Sequence, residues 1–180
     1  REINFHDVHL AFVFAKQAPS GPTIEAQFHL AGQSVPVCSP SRLAGLGRKP
    51  ESVADFLTLG LLHDGTPKGW TNWLSEVDSS VSDRSQEAAL VGTTFEDFNL
   101  LRAAALSGQG VALCPKAMIQ PDLDSGGLVQ ISHRAQNDGN NYFLLTSTTA
   151  PAPIRRNAQV FRDWAMTERD DTSGSCPTSW

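Results

Sequence analysis

Three observations predict an α/β fold. Short apolar or alternating stretches that suit strands are interleaved with stretches of helical period along most of the 180 residues. Residues 7–14, Asp-Val-His-Leu-Ala-Phe-Val-Phe, form a nearly continuous run of apolar, aromatic and β-branched side chains. Such a run suits a strand buried on both faces of a parallel sheet. Residues 96–107 and 154–168 carry well-marked helical signals. Leu100, Leu101, Ala104 and Ala105 share one face of the first, acids fill its first turn and Gly108 follows its end. Ile154, Ala158, Phe161 and Ala165 form the stripe of the second, broadened by Trp164, with Pro153 at its entrance.

The remaining elements follow in chain order. Ile24, Ala26, Phe28 and Leu30 alternate with Glu25, Gln27 and His29, the period of a half-covered strand. Residues 34–38 are extended, with Pro36 suggesting an edge or a crossing segment. Pro50 opens a helix over residues 51–57. A strand over 59–63, a Gly/Pro loop and a helix over 70–77 come next, then a polar loop over 79–86 and a strand over 88–95. A strand over 110–114 leads to a short helix from Pro115, and strands over 128–132 and 142–146 complete the set. The polar tail, residues 169–180, is expected to fray.

The composition narrows the function. Hydrophobic residues make up 40% and charged residues 18%, which suits a packed globule. Lys and Arg number 14 against 19 Asp and Glu, a net charge of −5, so bulk positive charge cannot drive nucleic-acid binding by this chain. Three cysteines, Cys38, Cys114 and Cys176, lack any CxxC spacing and read as free thiols of a reducing cytosol. No apolar run approaches the roughly 18 residues that span a bilayer, and no secretory signal opens the chain. A cytoplasmic protein without membrane contact is expected.

Motifs for catalysis are wanting. His6, His9, His29, His63 and His133 lack zinc-site spacing, and there is no GxSxG elbow or Walker loop. Gly45-Leu-Gly47 and Gly108-Gln-Gly110 are fragments of a dinucleotide fingerprint that turns explain as well. Glu96 and Asp97 could serve acid–base chemistry, but acids at a helix start first serve its dipole and its cap. Helix N-termini that follow strands are also where α/β proteins bind anionic ligands, and His63-Asp64 marks a second such place. Trp70 and Trp73 share a helical face, for which core packing outweighs ligand stacking. Lys16, past the first strand, is a loop lysine or a partner for a ligand carboxylate. No cofactor and no metal are expected.

Several segments in series carry a family resemblance: Asp7-Val-His-Leu-Ala, Pro36-Val-Cys-Ser-Pro40, Leu61-Leu-His-Asp64 with Trp70-Thr-Asn-Trp73, and Phe95-Glu-Asp-Phe98 leading to Ala103-Ala-Ala-Leu-Ser-Gly-Gln-Gly-Val-Ala-Leu-Cys-Pro115. Gly127-Leu-Val129, Tyr142-Phe-Leu-Leu145 and Phe161-Arg-Asp-Trp164 complete it. In this order and spacing, over about residues 4–168, the chain resembles the effector-binding domain of LysR-type transcriptional regulators, in the glycine-cleavage activator and β-lactamase regulator branch.

The resemblance implies the fold of type-2 periplasmic binding proteins: two Rossmann-like subdomains, two crossing segments and a central cleft for a small effector. Subdomain I would comprise residues 1–36 and 137–168, and subdomain II residues 37–136. Residues 1–6 resemble the end of an opening strand–helix–strand unit, the rest of which lies outside the sequence. The family's DNA-binding helix-turn-helix would lie N-terminal to Arg1, and the full-length protein would be a homodimer or tetramer. Carried over by position, the effector would meet Phe14, Ala15 and Lys16, then His63, Asp64 and Gly65, then Phe95, Glu96 and Asp97, and finally Tyr142. The segment Phe14-Ala15-Lys16 departs from the family's pattern of a basic or polar residue followed by glycine, so ligand chemistry does not carry over with position. The expectation is a sensing domain rather than an enzyme. A stand-alone solute-binding protein of the same fold is the alternative.

Overall fold

A computed structural model of the chain describes residues 9–78 and 83–173. They fall into two compact units. One takes the residues up to Gly32 and from Asp138 onward, and the other is Gln33–Asn137.

The first unit is built on a three-stranded antiparallel sheet in the order β1 (Leu10–Ala15), β8 (Asn141–Ser147), β2 (Ile24–Ala31). The helix α7 (Ala152–Ser173) packs on it. Phe161 of α7 meets the Phe12 ring edge-on at 6.4 Å, and Arg162 pairs with Glu25 at 3.1 Å. The buried strand expected at residues 7–14 is corrected here. β1 pairs antiparallel with β8 and alternates in exposure, with Phe12 and Phe14 about half exposed. The run is apolar because both faces carry hydrophobic side chains, yet among the described residues only one neighbouring strand covers it. α7 also runs on through residues 169–173, where a frayed tail was expected. Residues 174–180 and Cys176 lie outside the described residues.

The second unit carries a five-stranded sheet in the order β5 (Gly92–Phe95), β4 (Leu61–Asp64), β6 (Val111–Pro115), β3 (Ser34–Cys38), β7 (Val129–Gln130). β4 is parallel to both β5 and β6, while β3 runs antiparallel to β6. Alternate residues supply two cores. Leu61, Val111, Leu113 and Cys38 pack with α2 (Val53–Leu59) and α3 (Lys68–Val77), and Leu62, Ala112, Cys114 and Val37 with α5 (Phe98–Leu106) and α6 (Lys116–Asp124). Helices on both faces of a parallel core make this unit Rossmann-like. The described part of the first unit is antiparallel with one helix.

Local sequence explains the boundaries. Pro40 opens the short α1 (Pro40–Ala44) behind the cap Ser39, an element the periodicity missed. Helix α2 starts at Val53 rather than after Pro50, because Ser52 and Asp55 form a reciprocal capping box. Helix α4 (Asp83–Ala88) replaces part of the loop expected over 79–86, of which residues 79–82 lie outside the description. Pro36 sits inside the sheet rather than at its edge, between β6 and β7. Its carbonyl accepts from Ile131 N, so its missing N–H faces the side where the two-residue β7 ladder has ended. The whole of β3 belongs to the second unit, although a division between residues 36 and 37 was expected.

Trp70 and Trp73 are core residues. Their rings meet edge to face at 5.6 Å, with Nε1 of each donating to a backbone carbonyl, Leu62 and Arg134 respectively. Across the other core, the Arg102 guanidinium of α5 grips the nearly buried Asp122 of α6 with two hydrogen bonds.

Candidate functional site

Six of the ten residues expected at a site lie in the second unit, at the carboxyl ends of β4 and β5. The chain leaves β4 toward the face of α3, and leaves β5 and β6 toward the face of α5 and α6. Loops that part to opposite faces open a crevice at the strand ends, the usual ligand position in such sheets.

Asp64 ends β4 and is the register partner of Phe95, the last residue of β5. Gly65 takes φ +63°, a left-handed conformation that favours glycine, and turns the chain there. Its N–H donates to the Phe95 carbonyl at 2.8 Å, which ties the two strand ends together. Asp97 caps α5, accepting from Asn99 N at 2.8 Å and Leu100 N at 3.2 Å. Three carboxylates therefore gather at one rim. Partial desolvation, and then the charges of Asp97 and Glu96, hold the Asp64 carboxyl above its ordinary value. Phe95 is half-buried against the α5 core and gives the rim an apolar floor.

His63 is placed differently. Alternation along β4 turns its ring away from Asp64, to the Leu61 side of the sheet, where it is 1% exposed. It stands behind the crevice instead of lining it, because adjacent strand residues point to opposite faces.

The other four residues lie in the first unit, at the ends of β1 and β8. Phe14 and Tyr142 are direct cross-strand partners, with ring centroids 4.7 Å apart. Phe14 also lies over Gly32, where an added Cβ would come within 2.6 Å of its ring. Asn141 accepts from Gly32 N at 3.4 Å and is the register partner of Ala15. Lys16 follows the strand and is exposed. Glycines 32 and 92, which let rings lie against backbone, were not singled out from the sequence. Their signal is a glycine at a strand end where the partner chain comes close.

The buried cysteines take no part in this chemistry. Burial pushes the Cys38 thiol up to about 11 and the Cys114 thiol up to about 12, so both are protonated near neutral pH. No group of three His, Cys, Asp or Glu among the described residues is placed to hold a metal ion. No helix among them is long and apolar enough to cross a membrane.

Comparison with known proteins agrees on one family. Residues 2–169 match the LysR substrate binding domain. The glycine cleavage system transcriptional activator of Escherichia coli K12 is 29% identical over 164 residues, which cover 89% of this chain and 49% of that protein. The chain thus spans about half the length of this curated relative. Among solved structures, the AmpR effector binding domain of Citrobacter freundii superposes with a TM-score of 0.69 at 19% identity, covering 94% of this chain and 80% of that one. The effector domain of AmpR from Pseudomonas aeruginosa gives 0.68 at 21% identity, covering 96% and 79%. These likenesses show that the chain shares the fold of the AmpR effector domains. With that match covering nearly the whole sequence, the chain belongs to the LysR substrate-binding domain family.

Proposed function

We propose that this chain is the sensing part of a larger cytoplasmic transcriptional regulator and has no catalytic role of its own. A small-molecule effector binds it, and DNA is contacted by a helix-turn-helix N-terminal to Arg1. The full-length protein acts as a homodimer or tetramer, and effector binding shifts its population between conformers. Candidate effector contacts are Asp64, Gly65, Phe95, Glu96 and Asp97, with Phe14, Ala15, Lys16 and Tyr142 as a separate candidate group.

One observation carries this reading. The carboxyl ends of parallel strands β4 and β5 converge with the N-terminus of α5 and three carboxylates on an exposed rim. Among the described residues at that rim, none forms a nucleophile paired with a base, which favours recognition over turnover. The net charge of −5 supports leaving DNA contact to another part of the protein.

The test is a thermal-shift screen of amino acids, other small metabolites and peptidoglycan fragments. A ligand at about 100 times its Kd adds about 2.7 kcal/mol of stability. Asp64→Asn and Tyr142→Ala should then weaken binding of the hit in calorimetry while the chain stays folded. Unchanged affinity in both would overturn the placement. A sequence-specific gel shift by this chain alone would overturn the division of labour.

A further inference from the structure

His63 is an unusual group to bury in a sheet. It is 1% exposed, and neither Nδ1 nor Nε2 has a hydrogen-bond partner of good geometry. A buried imidazole so poorly bonded is most stable while neutral, because charging it forfeits hydration that the Val91 backbone offsets only in part. The ring lies against the start of β5. A Cβ on Gly92 would come within 2.5 Å of Nε2 and 2.9 Å of Cδ2, so only glycine lets the edge strand lie over it.

The two ways out for the ring differ in cost. On the helix side stand Trp70, Trp73 and Leu74, each 1% exposed or less. On the other side is β5, an edge strand held by one four-residue parallel ladder to β4. Leu90 and Val91, which lead into it, are 56% and 73% exposed. Segments with little buried apolar area open first. The charged groups on the surrounding elements are Asp64 on β4, Lys68 and Glu76 on α3, Arg84 and Glu87 on α4, and Glu96 and Asp97 beyond β5. None of them moves the titration of His63; burial lowers it, opposed by the Val91 backbone.

We propose that His63 makes the β5 edge acid-labile: its protonation is relieved by release of residues 92–95 from β4, which withdraws Phe95, Glu96 and Asp97 from Asp64. The effect on effector binding rests on the proposed function, whereas release of the strand stands apart from it.

Amide hydrogen exchange of the full chain, corrected for intrinsic rates, tests the release. Below the ordinary imidazole value of about 6.5, protection of the amides of residues 92–95 should fall by up to tenfold per pH unit. Protection in the central strand β6 should hold. In His63→Leu, and in His63→Gln as a second non-titrating variant, β5 protection should be flat over the same range. Protection at β5 that is flat in the unsubstituted chain would overturn the proposal. So would a loss shared equally by β6, or the same pH slope in both variants. None of these readouts depends on an effector.

Discussion

Asp97 serves two physical roles that substitution can separate. It caps α5 through two backbone N–H groups, and its charge presses on Asp64. Asp97→Ala removes both. Loss of the cap costs about 1 kcal/mol, and loss of a negative charge at an exposed helix start about 0.5 kcal/mol more. At roughly 4 °C per kcal/mol, the melting temperature should drop by about 6 °C. Asp97→Ser restores a capping oxygen without the charge, so only about 0.5 kcal/mol, or about 2 °C, should be lost. In both variants the Asp64 carboxyl should titrate lower than in the parent chain, because one of the charges that raises it is gone.

The sign of the pH effect follows. A carboxyl raised in the folded state binds protons there that the unfolded chain has already lost. The parent chain therefore loses stability as pH climbs from the ordinary 3.8 of this group through its folded value. Both variants should lose less over that window. Calorimetric melting and carbon-detected NMR titration of Asp64 are the assays. Equal destabilisation by Ala and Ser would refute the capping role, and an unmoved Asp64 titration would refute the electrostatic one.

Other perturbations reach other parts of the molecule. Arg102→Ala strands Asp122, 7% exposed, without its partner, and should cost about 2 kcal/mol in urea unfolding, given that the arginine itself is partly solvated. The paired change Arg102→Leu with Asp122→Leu should recover most of that loss. Gly32→Ala drives a Cβ into the Asn140 carbonyl oxygen and the Phe14 ring, and should destabilise the first unit by about 2 kcal/mol, with near-ultraviolet dichroism reporting the displaced Phe14–Tyr142 pair. Cys38 and Cys114 should resist a thiol reagent at pH 8 until urea is added, as read by peptide mass spectrometry. Both thiols are raised on folding, so stability should fall as pH rises from about 9 toward about 12.

Local signals located most elements, and the exceptions have local causes. Strand β2 and helices α3 and α5 lie within two residues of their expected bounds, because each carries a periodic apolar face with a clear stop. Helix α1 was too short to show a period, and a proline in the wrong half-turn displaced the start of α2. The parallel, doubly buried setting expected for β1 did not hold, because an apolar run states that both faces are hydrophobic, not which strand lies beside it or in which direction. At the site, Asp64 and the Phe95–Asp97 turn were legible as strand-end and helix-start residues. That Asp64 and Phe95 are register partners was not, since about 30 residues separate them in sequence.

The order of amino acids was enough for the α/β class, the placement of most elements, the acidic balance and the ordered motifs of the LysR family. Periodicity, capping chemistry and turn residues are local properties, and each acts over a few positions. Tertiary structure alone decided that β4 stands between β5 and β6, that three carboxylates meet at its end, and that the His63 ring turns inward against Gly92. Those outcomes depend on which strands pair and which face of the sheet each helix covers. Both are set by burying two cores at once, a condition on the whole unit that no short stretch of sequence expresses.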